Sequence, residues 1–202
     1  MPRIPLPTPD EMTLEQRAVH DEVIAGPRGR LIGPLRAVIH SPDLAGRWSR
    51  FGEYLRYSTC LPARLNELAI IVVGRHWNSQ LEFHVHAEAA RNAGLDPVVI
   101  EAIRLGIAPV FSDRAEADIY EFARTLPQRG TVAEEIYMAV EQRWGARGVV
   151  ELTALIGYYT MVCMTLNTHE IPLPDGASPP LDTAGCELTT LPAAQFAVGA
   201  EV

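Results

Sequence analysis

The sequence predicts an all-α fold built as a single domain of helices. Between residues 12 and 169, apolar residues recur at spacings of three and four, which is typical of amphipathic helices. No segment combines strand-like alternation with hairpin turns. The β-branched run at residues 70–73 is locally strand-like, but it lies in a longer window that begins at Pro62 and has helical periodicity, so we interpret it as helix.

The chain divides into three zones. Residues 1–11 are proline-rich and predict an extended lead-in, whereas residues 12–169 predict one helical domain. Residues 170–202 contain repeated prolines and little periodicity, so they predict an irregular C-terminal arm that cannot hold a helix. We interpret this arm either as a disordered end or as a segment packed on a neighbouring subunit.

Local signals of helix ends divide the central zone into successive helices. A capping residue or a proline predicts a helix start at Thr13, Ser41, Pro62, Ser79, Asp96, Asp113 and Thr131. Gly26 and Gly94 are expected to end the first helix and the helix that follows Ser79. A last helix, from about residue 148 to residue 168, is apolar nearly all round, which predicts a central position in the fold.

Composition excludes several classes of protein. The 202 residues are 48% hydrophobic, which is enough for a packed core and excludes general disorder. The formal net charge of −8, with no basic cluster, argues against a nucleic-acid partner, because such a chain repels phosphates. We find no apolar run near the roughly 18–20 residues of a membrane span, and prolines interrupt any signal peptide at the N-terminus.

Cysteine and histidine usage predicts neither a disulfide framework nor a metal site. Cys60, Cys163 and Cys186 are odd in number and widely spaced, which argues against a disulfide scaffold, a thiol redox centre and a zinc cluster. His84 and His86 fall on different faces of a helix, so they make a poor metal chelate. The sequence therefore predicts a cytoplasmic protein without a bound metal and without a membrane partner.

The candidate chemistry lies on the two helices that follow Pro62 and Ser79. Glu82 and His86 are four residues apart and share one helical face, and Ser79 joins the same stripe. Glu67 precedes an unbroken apolar run, so a packed helix would remove its carboxyl from water and raise its pKa. If the two helices form a hairpin, Glu67 meets the stripe, and two carboxyls with an imidazole can exchange protons.

Plainer interpretations of these residues stay open at this point. A glutamate and a histidine four residues apart are commonly a solvated pair on a helix surface. Glu67 alone would also serve as a tether between two helices. Cys60, in the linker before Pro62, is interpreted as a small apolar filler and not as a nucleophile.

The segment from about residue 34 to residue 105, with the terminal helix around 158–167, resembles the carboxymuconolactone decarboxylase / alkylhydroperoxidase D-like superfamily. Redox members carry a Glu, then Cys-x-x-Cys on the next helix, then a His four residues after the second Cys. Here the Glu falls on Glu67, the His on His86, and the two cysteines on Ser79 and Glu82. The resemblance implies an alkylhydroperoxidase D-like helical bundle, but thiol peroxidase activity is not expected because both thiols are replaced.

The Glu-x-x-x-His element at Glu82 and His86 resembles the cysteine-less, decarboxylase-like branch. This implies a cofactor-free acid–base enzyme that acts on a small unsaturated carboxylated compound of aromatic catabolism, as a decarboxylase-type lyase. His86 would donate the proton, Glu82 would orient the ring and tune its pKa, and Glu67 would complete the polar cluster. The expected substrate-binding residues are Arg56, Arg75, Ser79, His84 and Tyr54.

Other functions fit the same residues. A cis–trans isomerase or a lactone hydrolase acting on a similar ring-cleavage product also needs protonation beside a conjugated carbonyl. A non-catalytic oligomeric member of the fold is the alternative from another class. The resemblance further implies a homo-oligomer, a trimer or hexamer before a dimer.

Overall fold

The computed structural model describes residues 1–183 and 187–197; Cys186 and the last residues of the predicted arm lie outside them. The described part is all-α apart from one short strand pair, which confirms the predicted fold class. A 3-10 turn, Pro9–Glu11, precedes the helices. The helices are α1 (Leu14–Ala25), α2 (Leu35–Val38), α3 (Pro42–Tyr57), α4 (Ala63–His76), α5 (Gln80–Asn92), α6 (Pro97–Leu105), α7 (Arg114–Arg129) and α8 (Glu134–His169). The strands are β1 (Val110–Phe111) and β2 (Gln195–Phe196).

Helix α4 is the centre of the core. Every residue of α4 from Leu65 to His76 is buried, and the helix packs against α5, α7 and α8. The β-branched run at 70–73 therefore belongs to a buried helix, where its side chains fill space between three neighbours. Burial on all sides explains why α4 lacks the polar face of an ordinary surface helix.

Most helix ends lie where the local signals predict them. Thr13 caps α1 by accepting a hydrogen bond from the backbone N–H of Gln16, and Asp96 and Asp113 cap α6 and α7 in the same way. Thr131 does not cap a helix, because α8 begins at Glu134. The backbone of α8 breaks at Gly145, which has φ +66°, and the apolar helix expected from about residue 148 is the part beyond this break.

The apolar character of α8 corrects one sequence expectation. An 18-residue window of this helix has a mean hydropathy of 1.6, so α8 is long and apolar enough to cross a membrane by length and composition alone. However, 56% of that window is buried inside the protein, where α8 packs against α4 and α7. We interpret the hydrophobicity of α8 as that of a core helix.

The described part of the C-terminal arm packs along its own chain. The backbone N–H of Thr189 donates to the carbonyl of His76, and the N–H of Ala194 donates to the side chain of Glu121. Further on, β2 pairs in parallel with β1, a strand pair that the sequence did not predict. The described part of the arm is thus a strap over α4 and α7 of the same molecule.

Candidate active site

The helical hairpin of α4 and α5 brings Glu67, Glu82 and His86 together. The connection is short because Asn78 adopts φ +51°, a left-handed conformation that asparagine tolerates, and α5 then runs back along α4. His86 Nδ1 lies 2.6 Å from Glu67 Oε2, and His86 Nε2 lies 2.9 Å from Glu82 Oε1. The three residues are only 7%, 5% and 4% exposed for Glu67, Glu82 and His86, so this is not a solvated surface pair.

The two carboxylates contact the imidazole in different ways. Nδ1–H donates a hydrogen bond to Glu67, which fixes the orientation of the ring. The contact between Nε2 and Glu82 is close but not aligned as a hydrogen bond, and Glu82 Oε1 has no hydrogen-bond partner among the described residues. A buried carboxylate oxygen that has an ion-pair contact but no hydrogen bond is only partly compensated for the loss of water, and such groups are common at functional sites.

The electrostatics of the cluster keep a proton on His86. Burial disfavours the charged imidazolium, but the two nearby carboxylates favour it more strongly, and together they raise the pKa of His86 to about 9. At pH 7 the ring is therefore an imidazolium held between two carboxylates. Such a group can act as a general acid, and the flanking carboxylates can receive or return the proton.

Two further side chains enclose the cluster. The ring of Tyr159, from α8, packs edge-on against His86 with 5.1 Å between the ring centroids. Burial raises the pKa of Tyr159 well above its usual value, so its phenol remains protonated. Arg56, from α3, places its Nε 3.7 Å from Glu67 Oε1 and balances part of the negative charge.

A cleft of about 470 Å³ opens on this cluster. Glu82, His86 and Tyr159 line its wall, whereas Glu67 lies behind His86. The volume is in the range of small-molecule sites. Four arginines also line the cleft: Arg28, Arg30, Arg36 and Arg56. In an acidic chain, this concentration of guanidinium groups gives the cleft donors that suit a small anion, although Glu82 and Glu88 also line it.

The structure places the other predicted binding residues in different positions. Arg56 and His84 line the cleft. Arg75 points away from it and donates to the carbonyl of Arg104 and to Thr189 of the strap, because its side of α4 faces α6 and the strap. Ser79 is fully buried at the start of α5 and does not line the cleft.

Tyr54 also lies outside the cleft. Its hydroxyl donates to Glu151 of α8, and its ring lines a separate, largely apolar surface depression with Phe51 and Val150. The face of α3 that carries Tyr54 is thus not the face that carries Arg56. Their spacing of two residues explains this, because such residues do not share a helix face.

Sequence reasoning missed the arginines at positions 28, 30 and 36. They lie on the segment between α1 and α2 and on α2 itself, which line the same cleft as the first half of α5. The available signal was the dense Gly-Pro-Arg-Gly-Arg stretch after α1, since glycine and proline hold a loop in which charged side chains cluster. Periodicity could not show that this loop returns to His86.

The described residues favour neither a metal nor a thiol centre. Within residues 1–183 and 187–197, no group of three or more His, Cys, Asp or Glu side chains is arranged to hold a metal ion. Cys60 and Cys163 are free thiols, and neither lines the cleft. Burial raises the pKa of Cys163 well above its usual value, so this thiol remains protonated and a poor nucleophile.

Comparison with known proteins identifies relatives only among solved structures. Neither a scan of protein-family models nor a search of curated proteins finds a match. An uncharacterized peroxidase-related protein from Ralstonia eutropha JMP134, with an alkylhydroperoxidase AhpD core, gives a TM-score of 0.67 at 15% identity, over 86% of this chain and 93% of that one. An uncharacterized peroxidase-related protein from Silicibacter sp. TM1040 gives 0.68 at 14% identity, over 86% and 92%.

A third similar structure is that of an enzyme with a bound small molecule. The debrominase Bmp8, in complex with 2,3,4-tribromopyrrole, gives a TM-score of 0.62 at 13% identity, over 86% of this chain and 91% of that one. Identities this low show a common fold and leave the reaction of this chain to be argued from its own residues.

Proposed function

This chain has the alkylhydroperoxidase D-like fold, as the sequence resemblance predicted, and from that premise we propose that it is an acid–base enzyme acting on a small carboxylated compound. One observation carries the proposal: a buried, protonated His86 lies between two carboxylates at the wall of an arginine-lined cleft. The cleft supplies binding for an anion, and the cluster supplies a proton.

The proposed reaction is a decarboxylation of an unsaturated acid that needs no cofactor. The bond between the carboxylate carbon and the substrate breaks, carbon dioxide leaves, and the electron pair passes into a conjugated carbonyl. His86 Nε2 then gives its proton to carbon, and the ring recovers a proton from solvent through Glu82. Proton transfer of this kind contributes a rate factor of about 10²–10⁴, and positioning in the cleft supplies a further part.

The arginines must act on a group that stays in the substrate. A cation on the leaving carboxylate would stabilise the reactant more than the transition state and slow the reaction. We therefore assign the arginines to a second carboxylate or to the enolate oxygen that develops during the reaction. Arg56 is suited to the enolate because it lines the cleft and contacts Glu67, the carboxylate that accepts a hydrogen bond from His86.

A double-bond isomerase is the second candidate, and Glu82 favours it. Moving a double bond needs a base at one carbon and an acid at another. Glu82 Oε1 has no hydrogen-bond partner among the described residues and lines the cleft beside the protonated His86. The pair could thus remove a proton and deliver one within a single bound substrate.

The comparisons support the choice of a small-molecule enzyme. One protein with this fold is a debrominase bound to a small ring compound. Thiol peroxidase chemistry is not proposed, because Ser79 and Glu82 stand where the resemblance places the two cysteines. Aromatic ring-cleavage products as substrates, and a homo-oligomeric assembly, are proposed from the sequence resemblance alone.

The test uses unsaturated lactones and acids derived from aromatic ring cleavage, incubated with the enzyme in D2O. Proton NMR follows deuterium entering carbon, and a coupled assay follows carbon dioxide. Glu82→Gln should weaken both signals, while Glu88→Gln, a change at an exposed residue of α5 that lines the same cleft, should retain them. Deuterium entry without carbon dioxide favours the isomerase, and neither signal from any substrate overturns the proposal.

A further inference from the structure

Arg28 differs from the other arginines of the protein in how its guanidinium is satisfied. Nε and Nη2 of Arg28 are buried and form no well-aligned hydrogen bond among the described residues, and the polar group beside Nη2 is the Tyr158 hydroxyl. These two nitrogens form one edge of the guanidinium, on which two N–H bonds point in the same direction. Most arginines elsewhere, such as Arg64, Arg124 and Arg147, instead pair with a carboxylate.

The Arg28 side chain packs against α3 at a position where only a glycine leaves enough room. A Cβ at Gly52 of α3 would overlap both the Tyr158 hydroxyl and Arg28 Nη2. Tyr158 in turn packs against the rings of Trp48 and Phe51, with centroid distances of 5.6 and 5.5 Å. Arg28 therefore reaches the cleft wall through a close-packed region, where the absence of a side chain at Gly52 leaves room for the guanidinium.

A buried donor pair of this kind is costly unless a ligand satisfies it. An unsatisfied buried N–H loses its hydrogen bonds to water without replacement, and the loss is larger for a charged group. The parallel N–H bonds of one guanidinium edge match the two oxygens of a carboxylate, which they bind in a bidentate manner. Lysine carries the same charge but cannot reproduce this fork.

We propose that Arg28 is the specificity-determining residue of the cleft, and that its Nε–Nη2 edge binds a carboxylate which the substrate retains. This deepens the proposed function and rests on it, because it identifies the group that the arginines hold. The retained carboxylate lies at the Tyr158 side of the cleft, and the reacting carbon lies next to His86 and Glu82. Substrates with an amide or ester at that position would be rejected.

Calorimetric titration with benzoate, benzamide and inorganic phosphate tests the assignment without requiring turnover. The wild type should bind benzoate and not benzamide. Arg28→Lys should raise the Kd for benzoate by about tenfold or more, which corresponds to the loss of about 1.4 kcal/mol or more. Arg47→Lys, the same change at an exposed position of α3 outside the cleft, should leave the Kd unchanged.

Two further variants distinguish an effect of the paired N–H geometry of Arg28 from an effect of positive charge and from a loss of folding. Arg30→Lys retains the charge at an exposed cleft position, so it should weaken benzoate binding less than Arg28→Lys. Gly52→Ala displaces Arg28 without removing charge and should weaken benzoate binding as Arg28→Lys does, with folding checked by circular dichroism. If Gly52→Ala fails to fold, the Arg28→Lys result decides.

Three results would overturn the assignment: no benzoate binding by the wild type, equal benzoate affinity for wild type and Arg28→Lys, or benzamide bound as tightly as benzoate. Tighter binding of phosphate than of benzoate, lost in Arg28→Lys, would identify the ligand as a tetrahedral anion instead of a carboxylate. That result would also overturn the assignment. Because the readout is binding alone, these outcomes are distinct from a failure of the proton chemistry, which is measured by deuterium entry.

Discussion

Two buried glutamates in this protein have the same exposure and opposite surroundings. Glu82, on α5, and Glu151, on α8, are each 5% exposed. Burial alone would raise the pKa of Glu151, but hydrogen bonds from Tyr54, from the N–H of Cys60 and from Arg147 lower it to about 2. Glu82 faces a protonated histidine and keeps one oxygen without a hydrogen-bond partner among the described residues.

The difference separates a structural carboxylate from a chemical one. Every donor around Glu151 is satisfied, and the carboxylate joins α3, the following linker and α8. A carboxylate held in this way stays deprotonated near neutral pH and is a poor proton acceptor. Glu82 lies in ion-pair contact with His86 beside an open cleft, and partly satisfied polar clusters of this kind are typical of functional sites.

The largest effect is expected for His86→Asn. The variant removes the proton donor, so turnover should fall by about 10²–10⁴, as expected for the loss of general acid catalysis. The comparison requires that Glu151→Gln, tested in the same assay on the folded protein, remain within about twofold of the wild type. Equal losses in the two variants would mean that Glu151 belongs to the catalytic machinery and is not a structural carboxylate.

The next largest effect is expected on the stability of the Glu151→Gln variant. An amide cannot satisfy all three donors, so the free energy of unfolding should fall by about 1.5–3 kcal/mol in urea titrations. The folded pKa of about 2 is below the unfolded value of 4.5, so this stabilisation is present above pH 4.5 and is lost as the pH falls towards 2. A difference from the wild type that persists unchanged at pH 2 would contradict the assignment.

The His86 cluster should show the opposite dependence on pH. Its folded pKa, about 9, is above the unfolded value of 6.5, so its stabilisation is complete below pH 6.5 and is lost as the pH rises through 9. Glu67→Gln removes one of the two carboxylates and should lower the pKa of His86 by about 1–3 units. Carbon-13 NMR titration of the His86 ring measures this shift, with Glu88→Gln as a control that should leave the pKa near 9.

The sequence predicted those parts of the fold and site that depend on local spacing. Capping residues and prolines lie at the start of α1, α6 and α7, because a helix end is decided within one turn. The shared face of Glu82 and His86 follows from a spacing of four, and a short connection makes a hairpin that reaches Glu67.

The remaining parts depend on contacts between distant segments. Arg28 lines the same cleft as residues of α5 that are more than fifty positions away, and the strap reaches His76 across more than a hundred residues. Arg75 donates a hydrogen bond to Asn78, three residues away, but its guanidinium also donates to the strap and to the end of α6. Neither periodicity nor composition indicates which face of a buried helix contacts which loop, so these contacts could not be predicted from the sequence.

Tyr54→Phe should have the smallest effect and tests the one aromatic residue that the sequence placed in the binding site. The change removes a single hydrogen bond to Glu151, which keeps its bonds to the Cys60 N–H and to Arg147. Urea titrations should show a loss of about 1 kcal/mol or less, because the remaining donors still satisfy the carboxylate. Turnover and benzoate affinity should not change, since the phenol lies outside the cleft. A changed KM or Kd in this variant would return Tyr54 to the substrate site and would make the Glu151 cluster part of the chemistry rather than its structural counterpart.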